Sequence, residues 1–173
     1  ISDEELERIR EGCTCKRDLA MVDILASTGM RVGELVRLNI NDVNLAEREC
    51  TVLGKGGKQR LVYFDARTKI HLEQYLQCRN DSNPALFVCL HGTTKRLTIG
   101  GVESRIRLIG RNSDVAGVHP HKFRRTLATC AIDKGMPIEQ VQKLLGHAKI
   151  ETTMHYALVN QNNVKASHRK YLE

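Results

Sequence analysis

Cys50-Thr51-Val52-Leu53, Gly54-Lys55-Gly56-Gly57-Lys58 and Gln59-Arg60-Leu61-Val62-Tyr63-Phe64 follow one another in a chain otherwise patterned for helices. The two outer runs are of β type, and the glycines between them permit the positive φ angles of a hairpin turn. The stretch predicts a β-hairpin with a lysine near its tip. It makes the fold class mainly α with a small antiparallel β-hairpin (α+β). Upstream, Ser2-Asp3-Glu4-Glu5 is a capping box that opens a short helix to about Arg10. Leu19, Val22, Leu25 and Ala26 then space as one apolar helical face, which Gly29 ends. A further turn of helix carries Arg31, Glu34, Leu35 and Leu38. Downstream, helical periodicity returns from about Ala66 to Cys78. Residues 81–94 read as loop with one short strand around Phe87. Four helices are expected near 98–111, 121–134, 138–145 and 151–158, with Gly135 and Pro137 punctuating the second break. A last helical segment is expected from Val164 to Leu172. There is no internal repeat and no dividing linker, so residues 1–173 read as a single domain with a C-terminal tail segment at 160–173.

The 173 residues, 41% apolar and 27% charged, are enough to bury a hydrophobic core. No apolar run approaches the roughly 20 residues of a membrane span, nothing resembles a signal peptide, and no membrane partner is expected. The chain opens on Ile1 and reads as a fragment. Aromatic residues are only 4%, with no Trp, which leaves little to stack single-stranded bases upon. Cys13, Cys15, Cys50, Cys78, Cys89 and Cys130 are dispersed without a paired CxxC pattern, which points to reduced, mostly buried thiols and a cytoplasmic protein. The net charge of +7 is unevenly spread. Residues 1–49 hold eleven acids against seven bases, while residues 95–125 hold eight bases against two acids. A basic stretch of that kind suits a polyanion, although a solvated helical face would also carry it.

Single residues say less. Arg31 can be a surface cation near a helix start, and Lys55 a solvated turn residue. His121 and Arg124, three apart on a helix, share a face. His147 sits where histidine often only caps a helix end, and Tyr156 is one of four tyrosines. Cys13 and Cys15 with His119 and His121 even allow a zinc module, but those ligands lie far apart in sequence. Taken together the residues form ordered blocks: Thr28-Gly29-Met30-Arg31-Val32-Gly33-Glu34-Leu35, Gly54-Lys55-Gly56-Gly57-Lys58-Gln59-Arg60, His119-Pro120-His121-Lys122-Phe123-Arg124-Arg125-Thr126, Leu144-Leu145-Gly146-His147 and Thr152-Thr153-Met154-His155-Tyr156-Ala157. In these blocks and their spacing the chain resembles the Xer and phage-integrase branch of the tyrosine recombinases over almost its whole length.

The resemblance implies a site-specific recombinase or integrase catalytic domain with six active-site positions: Arg31, Lys55, His121, Arg124, His147 and Tyr156. Glu34 takes the place of a supporting acid beside the first arginine. Lys55 is preferred to Lys58 because family members carry their lysine at the first of the two sites. The chemistry of these residue types agrees. Phosphoryl transfer is mostly positioning and charge stabilisation, and Arg31 and Arg124 suit a bidentate clamp on one phosphate. A tyrosine oxygen, with an unperturbed pKa of roughly 10, attacks well only once its proton is removed. His121 can accept that proton, His147 can hydrogen-bond the phosphate, and Lys55 can protonate the departing 5′ oxygen. Glu34 stands alone, so no carboxylate cluster is expected to hold magnesium. No cofactor, metal or ATP is expected. The family also implies double-stranded DNA as partner, a homo-tetramer on that DNA with the tail docked in trans, and a cytoplasmic, DNA-associated location. It further implies an N-terminal domain that clamps the other face of the DNA and lies outside this chain. A type IB topoisomerase would share the chemistry but reseal the same strand, and a noncatalytic DNA-binding regulator would share only the basic face.

Overall fold

The computed structural model describes residues 1–147, 149–156 and 169–170, with Lys55 described by its backbone alone. Eight helices are described: α1 Asp3–Glu11, α2 Lys16–Thr28, α3 Val32–Arg37, α4 Ala66–Gln77, α5 Ile99–Asn112, α6 Pro120–Asp133, α7 Ile138–Leu145 and α8 Ile150–Met154. Between α3 and α4 lies an antiparallel sheet in the order β1 Val43–Asn44, β2 Glu49–Leu53, β3 Gln59–Tyr63. The α+β expectation holds. Apart from residues 169–170, the tail segment 160–173 expected to dock in trans lies outside the described residues, as do positions 157–158 of the expected last helix. No described helix is long and apolar enough to cross a membrane.

Local chemistry sets the boundaries. Ser2 Oγ accepts from Glu5 N–H at 3.1 Å while the Glu5 carboxylate accepts from Ser2 N–H at 2.9 Å, the reciprocal capping box. Asp65 and Thr98 cap α4 and α5 in the same way, through one side-chain bond each. Pro120 occupies the first position of α6, where a missing N–H costs nothing. Gly29 closes α2 in the left-handed region (φ 60°), and a Cβ there would meet Leu127 Cδ2 at 2.7 Å.

Helix α2 is the hub, packed by α1, α4, α6 and β3. The single apolar face expected for it is too narrow a reading. Ala20, Met21 and Ile24 are buried with Val22 and Leu25, while Leu19 and Ala26 sit at the margin. With neighbours on so many sides the helix buries most of its circumference. Its buried acids are matched: Asp23 receives Arg10 Nε at 2.6 Å together with His71 Nδ1, and Asp18 receives both Arg17 and Arg105.

In the sheet, Cys50 faces Val62, Thr51 faces Leu61 and Val52 faces Arg60. Period-2 alternation turns Cys50, Val52 and Val62 into the core and leaves Leu61 and Tyr63 on the outer face. The two-residue β1 is too short to show alternation and was not anticipated; it pairs Val43 with Cys50 and Asn44 with Glu49. No strand forms around Phe87. Isolated bridges join Asn39 to Ala85 and Val88 to Arg96, and the Arg79 guanidinium takes the carbonyls of Asn83, Ala85 and Leu86 that a partner strand would otherwise satisfy. Phe87 is held instead by stacking on Tyr75, with ring centroids 5.5 Å apart.

The thiols need a correction. All six cysteines are free, but only Cys50 is buried, and Cys78 and Cys130 are exposed. Cys78 lies past the last turn of α4, and Cys130 falls off the face by which α6 buries Phe123, Arg124, Ala128 and Ala131. Beside the main core, a smaller cluster of Ala128, Ala131, Val141 and Leu145 joins α6 to α7, and Tyr156 packs against it. That cluster carries the end of α8 toward α6 and α7.

Candidate active site

Arg31, His121, Arg124, His147 and Tyr156 line one cleft of about 630 Å³. Four elements deliver them: the start of α3, the first turns of α6, the turn after α7 and the turn after α8. The cleft is organised by the C-terminal end of α7. Gly146 closes that helix in the left-handed region (φ 64°) and leaves its last carbonyls without helical partners. Three guanidiniums take them: Arg60 Nε bonds Leu144 O at 3.1 Å, Arg124 Nη2 bonds Leu145 O at 2.7 Å, and Arg31 Nη2 reaches Gly146 O at 3.5 Å. The helix end is the negative pole of the peptide dipoles, so it offsets the repulsion among three like charges. Gly146 is needed for a second reason, because a Cβ there would meet Arg60 Nε at 2.9 Å. Arg124 Nη1 also bonds Gly29 O at 2.8 Å, so the glycine ends of α2 and α7 meet on one side chain. Burial and the charge of Arg31 push Arg124 down to about 10, still well above neutral pH, and the group stays charged.

Arg60 received no role from the sequence. It forms a two-pronged pair with the buried carboxylate of Glu34, Nη1 to Oε1 and Nη2 to Oε2 at 2.9 Å. Glu34 Oε2 also accepts the Arg31 N–H at 2.8 Å, and Oε1 lies 3.4 Å from Arg31 Nη1. Burial acts to raise the pKa of Glu34, but the bonds from Arg60 and the Arg31 backbone outweigh it and hold the group ionised below the usual carboxylate value. The signal for Arg60 was present in the alternation of β3, which puts Arg60 on the same face as buried Val62. An inward arginine needs a carboxylate, and Glu34 supplies it. Glu34→Ala should therefore cost about 3–5 kcal/mol, because it strands a largely buried guanidinium. Urea denaturation of Glu34→Ala, Arg60→Met and the double variant checks this. A double variant that is no more stable than Glu34→Ala would show that the charge left unpaired is not the cause.

The histidines sit in a positive field. Burial, then Arg124 and Arg31, push His147 down to about 4, and burial with Arg124 and His119 lowers His121 in the same direction. Both imidazoles are neutral near pH 7. His147 Nδ1 lies 2.9 Å from Thr153 Oγ1, and its ring stacks on Tyr156 with centroids 6.1 Å apart and 26° between planes. The side chain of Lys55 lies outside what is described; its backbone forms a tight turn at the hairpin tip. The zinc alternative finds no geometry: among the described residues no group of three or more His, Cys, Asp or Glu side chains is placed to hold a metal ion. The basic stretch 95–125 is partly spent inside the fold. Arg96 bonds the carbonyls of Val36 and Leu38, Arg105 bonds Asp18 and Thr14, and Arg124 is buried. Arg107 remains on the rim of the cleft, in contact with Glu103.

A cleft that brings Arg31, Arg124, His121, His147 and Tyr156 together in this helical fold defines a class. The profile described as the phage integrase family matches residues 1–163, and the chain belongs to that family. Among particular relatives, it is 40% identical over 159 residues to tyrosine recombinase XerC of Leptospira interrogans, covering 89% of this chain and 50% of the relative. With tyrosine recombinase XerC of Pediococcus pentosaceus it shares 34% identity over 170 residues, covering 93% of this chain and 56% of the relative. Among solved structures, XerA recombinase superposes with a TM-score of 0.85 at 32% identity, over 99% of this chain and 64% of that one. XerH recombinase bound to its difH substrate superposes with a TM-score of 0.78 at 25% identity, over 100% of this chain and 54% of that one. The chain thus spans about half the length of the curated relatives it matches.

Proposed function

We propose that this chain is the catalytic domain of a site-specific DNA recombinase that cleaves and rejoins double-stranded DNA through a 3′-phosphotyrosine on Tyr156. One observation carries the reading: Tyr156 stacks beside His147 in a cleft that also holds Arg31, His121 and Arg124. The names of the relatives support it, tyrosine recombinase XerC for the curated proteins and a complex with a difH substrate for XerH.

The chemistry follows from the residues. Arg31 and Arg124 bind the nonbridging oxygens of the scissile phosphate, where the transition state spreads its charge. Tyr156 Oη attacks phosphorus as the bond to the 5′ oxygen breaks. The phenolic proton passes to neutral His121, and the 5′ oxygen takes a proton from Lys55, with Lys58 as the alternative donor. His147 donates a hydrogen bond to the phosphate. When the 5′ hydroxyl of a second duplex attacks the phosphotyrosine, both proton transfers reverse. The phosphodiester energy is kept in the covalent link, so neither ATP nor a metal ion enters the cycle. The reading extends to a homo-tetramer on DNA with the tail segment 160–173 docked in trans, and to a cytoplasmic, DNA-associated location.

The test is a suicide substrate incubated with the protein in excess EDTA and resolved on a denaturing gel. A protein–DNA band that forms despite the chelator is the expected result. No adduct with any substrate would favour a noncatalytic DNA-binding protein. An adduct that requires added magnesium or zinc would overturn the arginine clamp.

A further inference from the structure

Thr153 belongs to none of the six expected positions, yet it touches two of them. Its side chain is fully buried, and its Oγ1 lies 2.9 Å from His147 Nδ1. Its carbonyl accepts the Tyr156 N–H at 3.0 Å. The backbone of His147 is fixed independently by Gln142, whose carbonyl accepts the His147 N–H at 3.1 Å and whose side-chain amide donates to His147 O at 3.1 Å. With the main chain held from one side and the ring from the other, the imidazole has one orientation. Nδ1 meets the buried Thr153 hydroxyl, and the residue also lines the cleft.

We propose that Thr153 is a positioning residue: its hydroxyl donates to His147 Nδ1 and so selects the tautomer that presents Nε2–H to the phosphate. The direction of that bond follows from counting protons. A threonine hydroxyl carries one hydrogen, and among the described residues the hydroxyl of Thr153 has no partner other than His147 Nδ1. Were Nδ1 the donor, a fully buried O–H would be left without an acceptor, a loss comparable to a broken hydrogen bond. Nδ1 is therefore the acceptor, and the ring proton sits on Nε2. A tautomer is at issue because burial, together with the charges of Arg124, Arg31 and Arg60, keeps the imidazole neutral near pH 7. An orienting partner on the far nitrogen is how a protein commonly sets which face of a histidine donates. Tying the same residue to the Tyr156 backbone keeps the histidine and the tyrosine in fixed relation.

The consequence for catalysis rests on the recombinase reading above, but the tautomer does not, so the two can fail separately. In protein labelled with ¹⁵N-histidine at pH 7, with His147 assigned by its loss in His147→Gln, the ring should show Nε2 protonated and Nδ1 as acceptor. Thr153→Val removes the hydroxyl at nearly constant volume and should give a mixture of tautomers. Thr153→Ser should restore the single form. In cleavage of the suicide substrate, Thr153→Val should be slower by about 10–100-fold, the usual worth of such an outer partner, with DNA binding unchanged and Thr153→Ser within a few-fold of the original. A protonated Nδ1 in the unaltered protein would overturn the proposal whatever the cleavage rates. A Thr153→Ser protein as slow as Thr153→Val, with the single tautomer restored, would overturn the link to catalysis.

Discussion

Replacing Tyr156 with Phe should abolish the covalent DNA adduct while leaving folding and DNA binding close to those of the unaltered protein. The loss should be on the order of 10⁶-fold, the scale at which removal of a nucleophile takes the reaction below detection. The structure supports a clean interpretation of this variant. The ring of Tyr156 packs against the Ala128, Ala131, Val141 and Leu145 cluster, and a phenylalanine ring keeps that contact. Among the described residues the phenolic oxygen makes no hydrogen bond, so no buried partner is orphaned, and stability should stay within about 0.5 kcal/mol. The other described tyrosines are poorly placed to compensate. Tyr75 is buried and accepts the Val88 N–H at 3.3 Å, while Tyr63 is exposed on the outer face of the sheet. An adduct that persists in Tyr156→Phe, measured on the same suicide substrate, would move the nucleophile to one of the other tyrosines, Tyr171 included, and remove the basis of the proposed function.

What the sequence reveals of this fold depends on the range of the interactions. Features written in a few consecutive residues were legible: the Ser2–Glu5 capping box, the glycine end of α2, and the hairpin around Gly54–Lys58. So was the set Arg31, His121, Arg124, His147 and Tyr156, because each lies in a block that carries its own spacing, and the fold brings those blocks to one cleft. What escaped depends on pairs remote in sequence. Arg60 meets Glu34 across 26 residues and Leu144 across 84. Neither partner leaves a local mark, although alternation already turned Arg60 inward. Arg96 and Arg105 counted toward a basic face by composition, whereas the fold spends them on carbonyls and on buried Asp18. Thr153 was quoted only as part of a motif, since a buried hydroxyl shows its partner only once α8 is set against the end of α7. The convergence of three arginines on one helix end is of the same kind. It arises from backbone carbonyls, which every residue possesses and no sequence pattern singles out.

Lys55→Ala should slow cleavage of ordinary DNA by about 10²–10⁴-fold, the range in which a general acid acts, and should leave a 5′-bridging phosphorothiolate substrate cut at nearly the original rate. The hairpin carries this lysine. Its base is anchored: Gly54 N–H bonds Lys58 O at 2.8 Å, and a Cβ on Gly54 would lie 3.7 Å from Arg60 Nη1 and 3.8 Å from Glu34 Oε1. The strands therefore leave the body of the protein directly beside the pair that also holds Arg31. Its tip is not packed. Gly56 and Gly57 both adopt φ 75° with nothing within 4 Å of where a Cβ would stand. Under the proposed function a lysine carried on this tip would meet the DNA strand held in the cleft, with the base of the hairpin beside the Arg60–Glu34 pair. Oxygen leaves poorly without a proton and sulfur leaves readily as a thiolate, so the sulfur substrate separates proton donation from every other service the lysine performs. Lys58→Ala is the matched control and should cut both substrates at near-original rates. Equal impairment of Lys55→Ala on oxygen and sulfur would assign Lys55 to binding the phosphate. Selective rescue of Lys58→Ala by sulfur would transfer the acid to Lys58, on the far side of the same turn.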